Sequence, residues 1–249
     1  MDPLYKYLCM LGDNSMILGH RLSELCGHGP SLETDIALTN ISLDLFGQVR
    51  NYFQYAASIS SDDLSEDDVA FLRYERQYYN ALLVEQPNTD FAHVIVRQFF
   101  FDAYHYLLLE NLKNSSDENI ANIAHKSSKE VSYHHRFSST WVKRLGDGTE
   151  ESHNKMQIAV DNLFPYTHEL LSPNDIELQM LEQGIGADIS ILKERYIADI
   201  KQVLREATLS IPDNPYAYSG GKEGIHTEHM GFILSDLQYM QRAYPNMQW

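Results

Sequence analysis

Five side chains are spaced so that they could carry ligand or proton chemistry on helices: Asp44, Asp102, His105, Glu130 and His134. Asp102 and His105 stand at i, i+3 on one face with Ile95, Phe99 and Leu109, the most apolar stripe of the stretch 91–112. Glu130 shares a face with Ile123, Phe137 and Trp141, flanked by Tyr133 and His134. Asp44 belongs to a polar strip with Asn40, Gly47, Gln48 and Asn51, bordered by Ile41. An ionised carboxylate buried alone costs several kcal/mol, so these acids are expected to have partners.

Inward carboxylates with histidines are also how helix bundles hold two irons, using a Glu from each of two helices and a Glu-x-x-His from each of the other two. The set here is incomplete. Asp44-Leu45-Phe46-Gly47 lacks the histidine, and Glu130-Val131-Ser132-Tyr133 has its histidine one place late, at His134. Ser15 stands where the first helix would bring a glutamate, and Asp102 is a shortened version of the single carboxylate. Poorly anchored iron with open coordination binds loosely. The pattern therefore predicts a metal-free core held by salt bridges and hydrogen bonds, with an atypical metal site as the alternative.

Other motifs carry less. Gly220-Gly221-Lys222-Glu223-Gly224-Ile225-His226 lacks the spacing of a phosphate loop, the hydroxyl residue after its lysine and a preceding strand, so it predicts a helix entry. His226 and His229 at i, i+3 fit capping or surface positions better than a metal site. Arg73-Tyr74-Glu75-Arg76-Gln77-Tyr78-Tyr79-Asn80 gathers aromatic and hydrogen-bonding groups that suit either packing or a binding surface. No Gly-x-Ser-x-Gly occurs, and neither Cys9 nor Cys26 has a Cys-x-x-Cys partner. Placed on one helix at ~1.5 Å per residue, the two cysteines lie roughly 25 Å apart, so both are expected to be buried, reduced small hydrophobes.

The elements that must position these groups are helices. Between Gly47 and Gly146 there is no glycine, and Pro87 is the only proline. Apolar periodicity predicts helices over about 4–25, 31–58, 66–85, 91–112 and 117–145, with Ser31 as an N-cap and Glu33 and Asp35 in the first turn. Four long helices with a longer crossover in the middle outline an all-α, ferritin-like up-down bundle over about 4–146. Further helices are expected over 153–171, kinked at Pro165, and over 189–209 and 225–242, as appendages within one domain spanning 1–249.

Composition narrows the partners. Nineteen Lys and Arg against 35 Asp and Glu give a formal charge of −16, which opposes nucleic-acid and anionic-membrane binding. No apolar run reaches membrane-spanning length, and the N-terminus lacks signal-peptide character, so a reduced, cytoplasmic protein is expected.

Several segments together resemble the family of phenylacetyl-CoA epoxidase C-subunits: Leu11-Gly12-Asp13-Asn14, Arg21 to His28, Asp44 to Gln48, Leu82 to Asn88, Arg136-Phe137-Ser138, and Gly221 to His229. The likeness extends from about residue 4 to Trp249. The resemblance implies a component of a multisubunit monooxygenase that epoxidises the ring of phenylacetyl-CoA with O2 and reducing equivalents from NADPH. It implies that the related catalytic A-subunit holds the di-iron centre, and that this chain supports it without a cofactor of its own. The other function classes are a di-iron oxidase in its own right and a free-standing CoA-thioester-binding module. By the same resemblance Gln77, Tyr78, Tyr79 and Asn80, with Leu178, Gln179 and Met180, match stretches near the CoA ester, although Tyr79 and Gln179 depart from the pattern. Expressed alone, the face meant for the partner is expected to permit a homodimer.

Overall fold

The computed structural model describes residues 2–213, 215–245 and 247, and among them it is helical with no strand. Helix α1 (Pro3–Ser23) begins at Asp2, whose carboxylate accepts from the Leu4 amide at 2.9 Å. It turns back through Gly27 to Pro30 into α2 (Leu32–Ile59), capped by Ser31 as its sequence predicts. After a short α3 (Glu66–Phe71) and a largely irregular crossover, α4 (Phe91–Leu112) and α5 (Glu118–Gly146) form the second hairpin. The two hairpins build the ferritin-like core. The appended part contains α6 (Glu150–Leu163), a 3-10 turn at Phe164–Tyr166 where Pro165 breaks the helix, α7 (Thr167–Leu170), α8 (Asp175–Glu182), α9 (Ile189–Glu206) and α10 (Glu228–Ala243).

Helix α4 is the axis of the molecule. Only Phe91, Tyr106, Glu110 and Asn111 keep appreciable exposure, because α5, α6, α7 and α9 surround it. Neighbours cover this helix on nearly every side, polar residues such as Arg97, Gln98 and Asp102 included, so the single stripe drawn from periodicity understates its burial.

The face of α5 is turned relative to expectation. Small side chains, Ala124, Ser127, Ser128 and Ser138, with Val131 and His134, pack inward, while Ile123, Glu130, Phe137 and Trp141 are half-buried and Tyr133 is exposed. Small residues let α5 lie close against α4, and that close approach outweighs burial of the larger rings.

The predicted helix over 66–85 stops at Phe71, followed only by a 3-10 turn at Glu75–Gln77. Arg73 is the cause: its Nε donates to the Val69 carbonyl at 2.6 Å, occupying the acceptor that the next helical amide would need. Two smaller expectations also fail. Cys26 lies beyond α1 and is exposed, while Cys9 is buried. Helix α8 falls where no helix was expected.

Candidate functional site

Asp102 is fully buried at mid-bundle, where Gln98 Nε2 donates to one carboxylate oxygen at 2.7 Å and Ser138 Oγ to the other at 2.8 Å. Among the described residues no cation pairs with it. Burial therefore dominates and pushes its pKa up to about 6, against the smaller opposing effects of His134 and the two donors. His105, one turn on, is held as the neutral imidazole, its pKa lowered to about 3 by burial and by His134.

The other acids lie toward the α2 side. His134 Nε2 stands 2.9 Å from Asp44 Oδ2, the one charge-capable pair in the group. Gln48 links Ser15 on α1 to Glu130 on α5, at 3.5 Å and 3.4 Å. Burial raises the Glu130 pKa above its ordinary value, and the neighbouring Asp44 adds to this. Gln98 Oε1, His105 Nδ1 and His134 Nδ1 have no hydrogen-bond partner among the described residues.

A di-iron centre does not fit these residues. Both oxygens of Asp102 face neutral donors, and the inner histidine His105 has no carboxylate beside it in the hydrogen-bond network. Among the described residues, no three His, Cys, Asp or Glu side chains gather so as to hold a metal ion. Of the salt bridges and hydrogen bonds expected in this core, Asp44 and His134 form a charge-capable pair, whereas Asp102 is held by neutral hydrogen bonds. The i, i+4 spacing of Gln98 and Asp102 was the legible signal for its partner.

A larger polar network lies along the crossover. Tyr78 and residues 80–86 are buried without regular structure, a costly arrangement unless each main-chain group finds a partner. Side chains supply them. Asp13 accepts from the Tyr79 amide at 2.8 Å, Asn14 from Ala81 at 2.9 Å, and Glu169 from Leu82 at 2.7 Å. Arg21 donates to the Glu85 carbonyl at 2.8 Å, and Arg97 donates to that of Gln86. His226 meets the Tyr78 carbonyl at 3.0 Å and the Glu85 carboxylate at 3.2 Å, and Asp13 forms a buried ion pair with Arg73.

The C-terminal glycine segment closes this network. Glu169 accepts from the Gly220 amide at 2.8 Å, and buried Lys222 pairs with Glu177 at 3.0 Å, so the lysine is committed internally and offers nothing to a phosphate. Gly221 lies against the Asn80–Leu82 backbone, where a Cβ would collide with the Asn80 carbonyl. His226 is committed to Glu85 rather than to His229.

A model described as Phenylacetic acid catabolic protein matches residues 1–249. The chain belongs to this family. It is also 46% identical over 249 residues to the C-subunit of 1,2-phenylacetyl-CoA epoxidase from Escherichia coli (strain K12), covering 100% of both chains. Most of the segments that carried the family resemblance, around Asp13, Arg21, Glu85 and His226, converge on the crossover network.

Of the residues matched to the CoA-ester stretches, Gln77 and Tyr79 line a groove of about 750 Å³ beside α1 and α3. Tyr78 and Asn80 are buried behind it, and Met180 is buried in α8. Leu178 and Gln179 are exposed on α8 and do not line this groove. The groove carries Asp2, Asp62 and Asp68 on its walls, and its one arginine, Arg73, is already paired with Asp13.

Proposed function

We propose that this chain is a supporting, metal-free component of a phenylacetyl-CoA-epoxidising monooxygenase, working beside a related bundle that holds the di-iron centre. The observation that carries the reading is Asp102, whose two oxygens are taken by Gln98 and Ser138 at the depth where a catalytic bundle needs open ligands. Full-length similarity to the C-subunit of such an epoxidase supports the assembly and its reaction class. The ring oxidation itself belongs to iron and O2 on the partner. This chain contributes a rigid body, its crossover locked on both sides by buried ion pairs.

Its contact with substrate is limited. Gln77 and Tyr79 are the matched residues able to touch a ligand from the groove, whereas three carboxylates there repel the phosphates of CoA. Phosphate binding is accordingly assigned to the partner. A cytoplasmic setting fits a CoA-thioester reaction, and no described helix is long and apolar enough to cross a membrane.

The second reading, a di-iron oxidase with an atypical site, makes a different prediction. Ferrous iron added anaerobically to the purified chain, then desalted, is expected to leave far less than one iron per chain and no oxo-bridge absorption after O2. Two retained irons with that absorption would overturn the proposal. Calorimetry with phenylacetyl-CoA is expected to show no micromolar binding to the chain alone.

A further inference from the structure

We infer that a small apolar pocket between α7, α9 and the loop 215–217 binds a monocyclic aromatic carboxylate, with the ring inside and the carboxylate at the mouth beside Lys193. The inference does not depend on the supporting role proposed above. The pocket follows from Pro165, which breaks α6 and turns the chain into α7, leaving a hollow that α9 and the loop enclose. Phe164, Pro165, Leu171, Ile197 and Pro215 form its apolar lining, and its volume is about 130 Å³. Apolar cavities of roughly 150 Å³ take up benzene, so one six-membered ring fills this space and a fused ring system exceeds it. The walls are braced from behind. The Phe164 ring packs T-shaped against Phe100 of α4 at 5.9 Å, and the Tyr218 amide donates to the Pro165 carbonyl at 3.1 Å. Tyr218 stacks on Tyr166 at 4.5 Å and meets Tyr216 at 4.8 Å, which holds the loop in place.

The polar groups of the lining select the head of the ligand. Thr167 Oγ1 donates to the Phe164 carbonyl at 2.8 Å and Ser172 Oγ to that of His168 at 2.9 Å, so both hydroxyl protons are committed within the fold. The His168 ring lies 3.2 Å from the same Ser172 oxygen. Lys193 is left: it lines the pocket, is exposed, and forms no ion pair among the described residues. No described carboxylate lines the pocket, in a chain that carries 35 acids. Of the acids near it in sequence, Glu169 is buried against the amides of Leu82 and Gly220, and Glu194 and Asp213 lie outside the lining. An apolar hollow with one unpaired ammonium at its edge matches a ring that bears one anionic group. A CoA thioester lacks that form, because its acyl group continues into pantetheine instead of ending in a free carboxylate.

The test is a ligand-observed fluorine NMR titration of para-fluorobenzoate with the full chain, beside neutral para-fluorobenzamide and the variants Lys193→Gln and Ala217→Leu. Both positions are solvent-exposed, and unchanged melting curves will verify folding. Ala217 lines the pocket from the loop, so leucine there fills the hollow without entering the core. The expected Kd of the benzoate is on the order of 1 mM. Losing the charge on either side, with the benzamide or with Lys193→Gln, is expected to weaken binding about threefold, and Ala217→Leu to weaken it roughly tenfold. Phenylacetyl-CoA is expected not to displace the benzoate. A benzoate Kd above roughly 10 mM overturns the pocket as a binding site. Undiminished binding by Ala217→Leu overturns its location, and benzamide bound as tightly as benzoate overturns the anionic head. Displacement by phenylacetyl-CoA overturns the choice of ligand while leaving the supporting role intact.

Discussion

Replacing Asp102 by asparagine is expected to stabilise the protein at neutral pH. The native environment of Asp102 disfavours its charge, moving the pKa from an ordinary 3.8 to about 6. At ~1.4 kcal/mol per pKa unit, ionising it in the folded state forfeits roughly 3 kcal/mol relative to the unfolded chain. Because the folded pKa is the higher one, that stability is fully present below the unfolded value and is lost as pH rises through about 6. Asparagine keeps an acceptor for Ser138 Oγ and carries no charge. Its amide can donate to Gln98 Oε1, now without a partner, if the Gln98 side-chain amide turns over. Some of the gain is offset by that rearrangement, leaving about 1–3 kcal/mol at pH 8. Urea denaturation followed by tryptophan fluorescence, at pH 8 and pH 4.5, measures the difference between variant and wild type. The advantage of Asp102→Asn should shrink by about 2 kcal/mol at the lower pH. A variant less stable than wild type at pH 8, or an advantage independent of pH, would refute the argument. The first of these would mean that the carboxylate has a cationic partner after all.

Asp13→Asn strands the buried Arg73 guanidinium and should cost about 3–5 kcal/mol, seen as a melting temperature lower by roughly 10 °C. Gly221→Ala drives a methyl group into the Asn80 carbonyl and should destabilise by on the order of 2 kcal/mol or more, with faster protease cleavage in the region 212–227. For His226, burial alone would lower the pKa, but the hydrogen bond and charge of Glu85 outweigh it and hold the value above that of a free imidazole. Its stabilising contribution is present below the ordinary imidazole pKa and fades as pH rises above the folded one. Thermal melts from pH 6 to 8.5 should therefore decline more steeply for wild type than for His226→Gln.

The long helices were legible because their signals are local: an N-cap at Ser31, glycine at the ends of α1 and α5, and periodic leucines in α1. Helix α8 was legible too, and missed. Asn174 and Glu177 form a capping box, a signature present in the sequence directly after Pro173. The crossover was not legible in the same way. Residues 72–86 contain no glycine or proline, so propensity favours a helix, and what prevents it is tertiary: acceptors and donors delivered from Asp13, Arg21, Arg97, Glu169 and His226, as much as 148 positions away from their partners. For α5, hydrophobicity pointed to the wrong face because periodicity shows which side is apolar, whereas close approach to α4 selects the side with small residues.

These two failures have one cause. A sequence shaped for a single free-standing bundle would bury the rings of α5 and let the crossover coil into a helix. Here Phe137 and Trp141 stay half-buried and Tyr133 is exposed, and polar side chains from five segments hold the crossover in a conformation that it would not adopt alone. At mid-bundle Asp102 is held by neutral hydrogen bonds, while the buried ion pairs, Asp13 with Arg73 and Glu177 with Lys222, serve to fix loops next to α1. Buried ion pairs are a poor source of net stability compared with apolar packing but define one geometry sharply. Their placement fixes the shape of the surface around the crossover and α1. The segments around Asp13, Arg21, Glu85 and His226, which carry the family resemblance, meet in this scaffold.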